Sequence, residues 1–202
     1  MLPAVVSLDA TRALHSGNVS VETFPLPGPL LFKSRRFADA RGMFAETYSR
    51  RDFAALRVAD EFVQDNWSRS ERVGTVRGLH FQRPPYAQGK LVRVLRGRIF
   101  DVAVDLRRSS PRLGHHVAVE LAAGEDSMLY VPPGFAHGFC TLEPMTEVAY
   151  KVSADYAPEA DAGVAWDDPA LGIDWPVAAE DAHVSRKDEL LPPLSELPTV
   201  FA

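Results

Sequence analysis

Residues 76–106 read VRGLHFQRPPYAQGKLVRVLRGRIFDVAVDL, and this stretch carries the clearest structural pattern in the chain. Apolar residues alternate with polar or small residues both before and after Gly97. Alternation with a period of two on either side of a glycine turn predicts a β-hairpin with one buried face and one solvated or cavity-facing face. His80 and Lys90 lie directly before the alternating segments, so the stretch also predicts a functional site.

The composition predicts one folded domain. The chain has 202 residues, of which 46% are hydrophobic, and this is enough to bury a core. We therefore expect a single domain over residues 1–202, with an N-terminal extension at 1–20 and a C-terminal tail at 190–202. No apolar run approaches the roughly 18 residues of a membrane-spanning helix, and the N-terminus lacks the basic start and apolar block of a secretory signal. These features predict a cytoplasmic protein that has no membrane partner.

The charge distribution favours a small anionic ligand. The net charge is −5, from 22 basic and 27 acidic residues, and this disfavours nucleic acid as a partner. Between Arg69 and Arg98, however, eight basic residues stand against one acidic residue, Glu71. A basic segment in an acidic protein suits a small anion better than a polymer. The alternative is that these residues form a solvated strand face.

The rest of the chain predicts an all-β sandwich or barrel, because strand-like segments and glycine or proline turns recur about every 8–12 residues. One short helix is expected after Ser49, with Asp52 in a capping-box position and Phe53 on the buried face. Gln64 and Asn66 alternate along a strand and are expected on the same side of it. The adjacent His115 and His116 face opposite ways on a strand, and we expect both at the surface. Cys140, the single cysteine, excludes an internal disulfide and is expected in the core.

Four residues are the candidates for chemistry: His80, Lys90, Tyr150 and Asp188. Histidine is the natural general base at neutral pH, and a carboxylate such as Asp188 can orient it. A lysine can stabilise a developing oxyanion, and a tyrosine phenol can donate a proton. The sequence has no nucleophile elbow, glycine-rich phosphate loop or zinc spacing. The set predicts proton abstraction next to a carbonyl, although His80 taken alone is also compatible with an ordinary core or surface histidine.

The segment PPGFAHGF, residues 132–139, resembles the second cupin motif, which closes the end of a jelly-roll barrel. Metal-binding cupins supply further histidine ligands and a glutamate from a first motif. The equivalent segment here, residues 89–106, contains no histidine. We therefore expect a cupin-type barrel without a metal site.

Several motifs together resemble the dTDP-4-dehydrorhamnose 3,5-epimerase family over about residues 22–193. They are DARGMFAE at 39–46, FVQDN at 62–66, the block at 76–114, VPPGFAHGF at 131–139, the AYK-to-DYAP strand at 149–158, WDDPALGIDWP at 166–176 and SRKD at 185–188. The resemblance implies a double-stranded β-helix jelly roll with a few short helices. It also implies a homodimer that needs no cofactor and acts on a thymidine-diphosphate 4-keto-6-deoxyhexose.

The resemblance assigns roles to individual residues. His80 matches the base beside the ketone, Asp188 its carboxylate partner, Lys90 the cation facing the 4-keto oxygen, and Tyr150 the acid on the opposite face. Nucleotide and diphosphate contacts, some reaching a site shared between subunits near their interface, match Arg41, Glu46, Gln64, Asn66, Arg77, His137 and Lys187. Tyr156 matches an aromatic residue that stacks on the thymine. Two positions depart from the family: Asp161 stands where glutamate is usual, which puts a nucleotide contact in doubt, and Trp67 stands where histidine is common.

The expected reaction converts dTDP-4-dehydro-6-deoxy-D-glucose to dTDP-4-dehydro-L-rhamnose by inversion at C3 and C5, in dTDP-L-rhamnose biosynthesis. A mono-epimerase that inverts one carbon of a related sugar is the nearest alternative. A metal-dependent cupin oxygenase or isomerase and a non-catalytic sugar-nucleotide-binding barrel are the alternatives from other classes.

Overall fold

The computed structural model describes residues 14–201, and its regular structure is almost entirely β. The strands are β1 Leu14–Ser16, β2 Val19–Thr23, β3 Leu30–Ser34, β4 Arg36–Asp39, β5 Gly42–Ala45, β6 Gln64–Ser70, β7 Val76–Gln82, β8 Lys90–Arg96, β9 Arg98–Asp105, β10 His116–Ala122, β11 Ser127–Val131, β12 Phe135–Thr141, β13 Thr146–Val152 and β14 Asp161–Gly163. One α-helix, α1, spans Arg50–Ala55, and three 3-10 helices span Ala179–Asp181, Asp188–Leu190 and Leu194–Glu196.

The strands form two large antiparallel sheets and a small ribbon. The first sheet has seven strands in the order β1-β2-β3-β11-β8-β13-β6, and the second has five in the order β10-β9-β12-β7-β14. The strands β4 and β5 pair only with each other and form the ribbon. This architecture confirms the predicted all-β, jelly-roll fold.

The main core lies where the two large sheets share one hydrophobic cluster. Val92 of β8 and Leu129 of β11 come from the seven-stranded sheet, and Ile99 of β9 and Phe135 of β12 come from the five-stranded sheet. The other face of the five-stranded sheet is covered by the C-terminal segment, whose Trp166 and other apolar residues pack on it. Both faces of β9 are therefore buried, and this strand forms part of a rigid base for the site.

The predicted β-hairpin around Gly97 is wrong, although both of its strands are present. Strand β8 pairs with β11 and β13 in the seven-stranded sheet, and β9 pairs with β10 and β12 in the five-stranded sheet. The turn at Gly97 has a φ of +78° and carries the chain from one sheet to the other. Alternation records only that a strand has two unlike faces, so it does not identify the strand's neighbours.

The predicted helix is present as α1. Ser49 is its N-cap residue, but its hydroxyl makes no capping hydrogen bond, and the Asp52 carboxylate instead accepts one from Ser16 at 3.1 Å. Phe53 is buried and stacks on Phe32 of β3, with ring centroids 4.4 Å apart. No helix within residues 14–201 is long and apolar enough to cross a membrane.

The described parts of both chain ends pack on the sheets. Of the residues at 1–20, those from Leu14 onwards include β1 and part of β2, at the edge of the seven-stranded sheet; residues 1–13 lie outside the described chain. Within 190–202, the ring of Phe201 lies 5.8 Å from that of Phe81, centroid to centroid. The described end of the tail is therefore packed on the five-stranded sheet.

His116 is buried, so the expectation of a surface position is wrong for this residue. It is 1% exposed, and neither ring nitrogen has a hydrogen-bond partner within residues 14–201. Burial lowers the pKa of His116, because the charged imidazolium is poorly solvated there. His115 remains partly exposed. Cys140 is buried as predicted.

Candidate active site

Residues from both large sheets and from the C-terminal segment line a cavity of about 460 Å³. All four residues selected for chemistry lie in its wall: His80 on β7, Lys90 on β8, Tyr150 on β13, and Asp188 in the second 3-10 helix. Lys90 pairs with Val152 and Tyr150 with Val92, so Lys90 and Tyr150 project from the same face of adjacent strands. The fold thus brings together groups that are far apart in sequence.

His80 and Asp188 form a histidine–carboxylate pair. The Nε2 atom of His80 lies 2.7 Å from Oδ1 of Asp188, and the backbone N–H of Gly78 donates to Oδ2 at 3.3 Å. Burial alone would raise the pKa of Asp188, but the hydrogen bonds from His80 and Gly78 outweigh it and hold that pKa below its usual range. Asp188 therefore remains a carboxylate and can orient the ring of His80 and stabilise its protonated form.

Lys90 is a buried cation in the same cavity. It is 8% exposed, and its ammonium donates to the backbone carbonyl of His80 at 3.1 Å. Burial lowers the pKa of Lys90 to about 8, and the carboxylates of Asp101 and Asp161 oppose that lowering. The side chain is thus charged at neutral pH and can stabilise an oxyanion with little competition from water.

Tyr150 supplies the phenol. Burial raises the pKa of Tyr150, and the positive charge of Arg77 acts in the opposite direction. A phenol that holds its proton at neutral pH can donate it to a carbanion or enolate. Tyr150 and His80 project into the cavity from opposite sheets.

A second histidine–carboxylate pair lies beside the first. His137 on β12 is directly opposite His80 on β7, and its Nε2 atom lies 2.6 Å from Oδ1 of Asp101 on β9. Both members of this pair are buried, and Asp101 has no solvent exposure. Sequence reasoning selected His137 but missed Asp101; an acidic residue alternating with apolar residues along a strand was the available signal.

A smaller cavity of about 180 Å³ continues from the first one and shares His80, Lys90, Tyr150 and Lys187 with it. Gln64 and Asn66 line this cavity on the same side of β6, as predicted, and the Gln64 amide donates to the Asn66 side chain at 2.8 Å. The four shared residues therefore lie between two differently lined compartments.

The mouth of the smaller cavity is polar. The Tyr156 hydroxyl donates to Asp161 at 3.0 Å, and Lys187 forms an ion pair with the same carboxylate. Tyr156 is 57% exposed, so its ring is accessible to a ligand. Arg77 lines the larger cavity, where its Nε atom donates to the Ser70 hydroxyl at 3.1 Å.

Arg41 and Glu46 are away from these cavities. Arg41 lies at the tip of the β4–β5 ribbon and pairs with Asp39, and Glu46 directly follows β5. Neither residue is among those that line the two cavities within the described chain. Within one protomer they are therefore not brought to the site.

Within the described residues, no cluster of side chains is placed to bind a metal ion. Residues 14–201 contain no group of three or more histidine, cysteine, aspartate or glutamate side chains placed to hold an ion. His80 and His137, two of the three histidines that line the larger cavity, each lie within hydrogen-bond distance of a carboxylate.

Comparison with known proteins identifies the family that this chain resembles. The family model described as dTDP-4-dehydrorhamnose 3,5-epimerase matches residues 23–196. The chain is 51% identical over 172 residues to the dTDP-4-dehydrorhamnose 3,5-epimerase of Sinorhizobium fredii, covering 85% of this chain and 87% of that protein.

Solved structures give the same result. The Bacillus anthracis dTDP-4-dehydrorhamnose 3,5-epimerase with TDP and PPi bound superposes with a TM-score of 0.83 at 45% identity, covering 87% of this chain and 99% of that one. The Legionella pneumophila dTDP-6-deoxy-D-glucose-3,5-epimerase in complex with dTDP-4-keto-L-rhamnose gives 0.84 at 39% identity, covering 89% and 95%. The chain therefore belongs to the dTDP-4-dehydrorhamnose 3,5-epimerase family.

Proposed function

We propose that this protein is an isomerase that converts dTDP-4-dehydro-6-deoxy-D-glucose to dTDP-4-dehydro-L-rhamnose. It would invert C3 and C5 by removing and returning protons, without a cofactor, in the biosynthesis of dTDP-L-rhamnose. The observation that carries this proposal is the meeting of the His80–Asp188 pair, Lys90 and Tyr150 in one cavity. The family's activity and the dTDP-sugar bound to the Legionella relative support the choice of substrate.

The geometry supports a two-sided acid–base mechanism. His80 removes the proton from a carbon next to the ketone, and Asp188 stabilises the imidazolium that forms. Negative charge then develops on the ketone oxygen, where Lys90 stabilises the enolate. Tyr150 returns a proton from the opposite face, which inverts the carbon. His80 then releases its proton to solvent and Tyr150 regains one, so that the same steps at the second flanking carbon complete the reaction.

The remaining polar residues bind the nucleotide part of the substrate. We assign Arg77, His137 and Lys187 to the negative charge of the diphosphate, because cationic and hydrogen-bonding groups suit phosphate oxygens. Gln64 and Asn66 present paired amides, and Tyr156 offers an exposed ring for stacking on the thymine. Asp161 acts through the two side chains that it holds, Tyr156 and Lys187.

Incubation with the 4-keto substrate in heavy water tests the reaction. Both carbons that flank the ketone should acquire deuterium, because each abstraction leaves an enolate and the proton returned to it comes from a group that has exchanged with heavy water. Deuterium at one carbon only would make the protein a mono-epimerase. Absence of deuterium from both carbons, with the nucleotide bound, would leave a binding protein and contradict the proposal.

The functional unit that we propose is a homodimer. Met43 and Phe44 of the ribbon, Trp67 of β6 and Leu95 of β8 are large apolar side chains with exposures of 58%, 66%, 60% and 41%. They line two adjoining cavities of about 390 and 350 Å³ that share Thr47, Arg93, Leu95 and Met128. A continuous exposed apolar surface favours protein association.

In the proposed dimer, the β4–β5 ribbon of each protomer contributes to the active site of its partner. Arg41 and Glu46 resemble family nucleotide contacts but lie outside their own protomer's cavities. In the proposed dimer, the ribbon of one protomer extends to the nucleotide end of its partner's site. Sedimentation of the purified protein should give the mass of a dimer, and a monomer with full activity would contradict this part of the proposal.

A further inference from the structure

The second histidine–carboxylate pair holds a negative charge that the mechanism above does not use. Asp101 has no solvent exposure, and one of its oxygens lies 2.6 Å from Nε2 of His137. Its other oxygen, Oδ2, is buried without a hydrogen-bond partner within residues 14–201. A carboxylate removed from water is costly unless hydrogen bonds and an opposite charge compensate it. One contact with an imidazole leaves Asp101 incompletely compensated.

Lys90 carries a buried positive charge that is also incompletely compensated. Its side chain is also buried, and within the described chain its ammonium has one hydrogen bond, to the carbonyl of His80. An ammonium group offers more donors than this contact uses. The two charges belong to one cluster, because His137 is opposite His80 on the adjacent strand and both histidines line the cavity with Lys90.

We propose that Asp101 is the counter-ion of Lys90 and hence a positioning residue for the epimerisation. Its negative charge keeps the lysine protonated in a site with little water, and His137 fixes the carboxylate from the other side. The part of this proposal that concerns turnover rests on the proposed function, and the part that concerns the charge pair does not.

The other groups around Lys90 do not replace Asp101. Asp161 also carries a negative charge, but it already holds the ammonium of Lys187 and the hydroxyl of Tyr156. Burial lowers the pKa of Lys90 most strongly, Asp101 is the larger of the two carboxylate effects that oppose it, and Lys187 lowers it further. The titratable or charged groups around Lys90 come from both sheets and from the segments packed on them. They are Arg77 and His80 on β7, Asp101 on β9, His137 on β12, Tyr150 on β13, Tyr156 after β13, Asp161 on β14, and His183, Lys187 and Asp188 on the C-terminal segment.

The sign of the effect on activity follows from the role of Lys90. The ammonium must be charged to stabilise the enolate, so activity is lost as pH rises through its pKa of about 8. Asp101→Asn removes the negative charge while keeping the shape of the side chain. The ammonium then loses its proton at a lower pH, and the alkaline limb of the pH profile moves to lower pH.

The first experiment measures kcat/KM against pH, which reports groups of the free enzyme. Asp101→Asn should move the alkaline limb by about one pH unit or more, because a nearby opposite charge typically shifts a pKa by about 1–3 units. Asp101→Glu keeps the charge in the same crowded position and should leave the limb in place. Asp105→Asn is the matched control, since Asp105 is equally buried on β9 but pairs with Arg107. The proposal would be overturned if the alkaline limb lay at the same pH in Asp101→Asn and Asp101→Glu. It would also be overturned if Asp105→Asn shifted the limb as much as Asp101→Asn does.

The second experiment needs no substrate and therefore separates this proposal from the proposed function. Urea unfolding is compared for the wild type, Asp101→Asn, Lys90→Met and the double variant. If the two charges are partners, Asp101→Asn should be less destabilising in the Lys90→Met background than in the wild type. Additive effects would show that the charges are independent and would overturn the assignment.

The same cycle remains decisive if a variant does not fold. A double variant that folds where Asp101→Asn alone does not is itself evidence of coupling. If Asp101→Asn prevents folding in both backgrounds, the carboxylate serves the fold without regard to Lys90, and the proposal fails.

Discussion

At the scale of single residues, His80 should control the rate without controlling binding. His80→Asn removes the base, and turnover should fall by at least ~10²–10⁴, the usual range for a positioned general base. Affinity for dTDP, measured by titration calorimetry, should stay nearly unchanged because the imidazole acts on the sugar. Asp188→Asn should be milder, since it loses the charge but keeps a side chain that can orient the ring. His115→Asn, outside the cavity, is the control, and near-normal turnover in His80→Asn would refute the assigned base.

Lys90 and Tyr150 should be distinguishable by solvent exchange. Negative charge develops on the ketone oxygen whichever carbon loses its proton, so Lys90→Ala should lose deuterium exchange and inversion together. Removal of such a donor typically costs ~10²–10³ in rate. Tyr150→Phe should still incorporate deuterium from the His80 side while forming little inverted product. If it abolishes exchange as completely as Lys90→Ala does, the roles of the two residues must be redrawn.

The sequence identifies these residues better than it explains their surroundings. His80 and Asp188 are 108 positions apart, so only the family resemblance joins them before the fold is known. Asp101 was missed because a buried acid on a strand has the same local pattern as an exposed one. His116 was misjudged for a related reason: two adjacent histidines face opposite ways, but the sequence does not show that the C-terminal segment covers the outer face of the sheet.

At the scale of elements, the alternating sequence pattern predicted where the strands lie, but it did not predict which strands pair with each other. The segments around Gly97 are strands as predicted, yet they belong to different sheets. Hydrogen-bond pairing is a long-range property, and the same alternation suits a hairpin or a corner between sheets. This corner places Lys90 in one sheet and Asp101 in the other, each on the strand face that is turned toward the core shared by the two sheets.

The corner at Gly97 should tolerate substitution poorly. Gly97→Ala places a Cβ at a φ of +78° and against the hydroxyl of Thr146, which is buried and donates to the Glu143 carbonyl at 2.7 Å. The left-handed backbone alone costs roughly 1–2 kcal/mol for a non-glycine residue, and the clash adds to that. The free energy of unfolding in urea should therefore fall by more than this amount.

Gly124→Ala is the matched control for that change. Gly124 has a similar φ of +85°, but the atom nearest to a Cβ at this position is the end of the Arg36 side chain, at 3.8 Å. Gly124→Ala should therefore lower the free energy of unfolding only by the cost of the left-handed backbone. Equal losses of stability in the two variants would mean that the crowding at Thr146 contributes nothing.

At the scale of the whole molecule, the fold class was predictable because turns and short alternating strands recur throughout the chain. The behaviour of the chain ends was not. Val19 and Val21 are buried under α1, and Phe201 packs on Phe81. Each segment is too short to show a clear period, and the residues that its apolar side chains pack against are distant in the sequence.

At the same scale, subunit complementation tests whether the ribbon of one protomer completes the active site of its partner. Arg41→Ala and His80→Asn homodimers should both have low kcat/KM, because each site lacks either the ribbon contact or the base. In a heterodimer of the two, one site combines an intact His80 with the partner's intact Arg41, and the other site lacks both. With two equivalent sites in a symmetric dimer, the heterodimer should recover about half of the wild-type activity per dimer.

Differently tagged chains allow the heterodimer to be purified, and a heterodimer of Lys90→Ala with His80→Asn is the control. Both of those changes lie in the same protomer's cavity, so neither of its sites is complete and no activity should return. Activity in the Arg41→Ala and His80→Asn heterodimer that merely equals the mean of its parents would place Arg41 in its own protomer's site. Full activity in the Arg41→Ala homodimer would remove Arg41 from the site altogether.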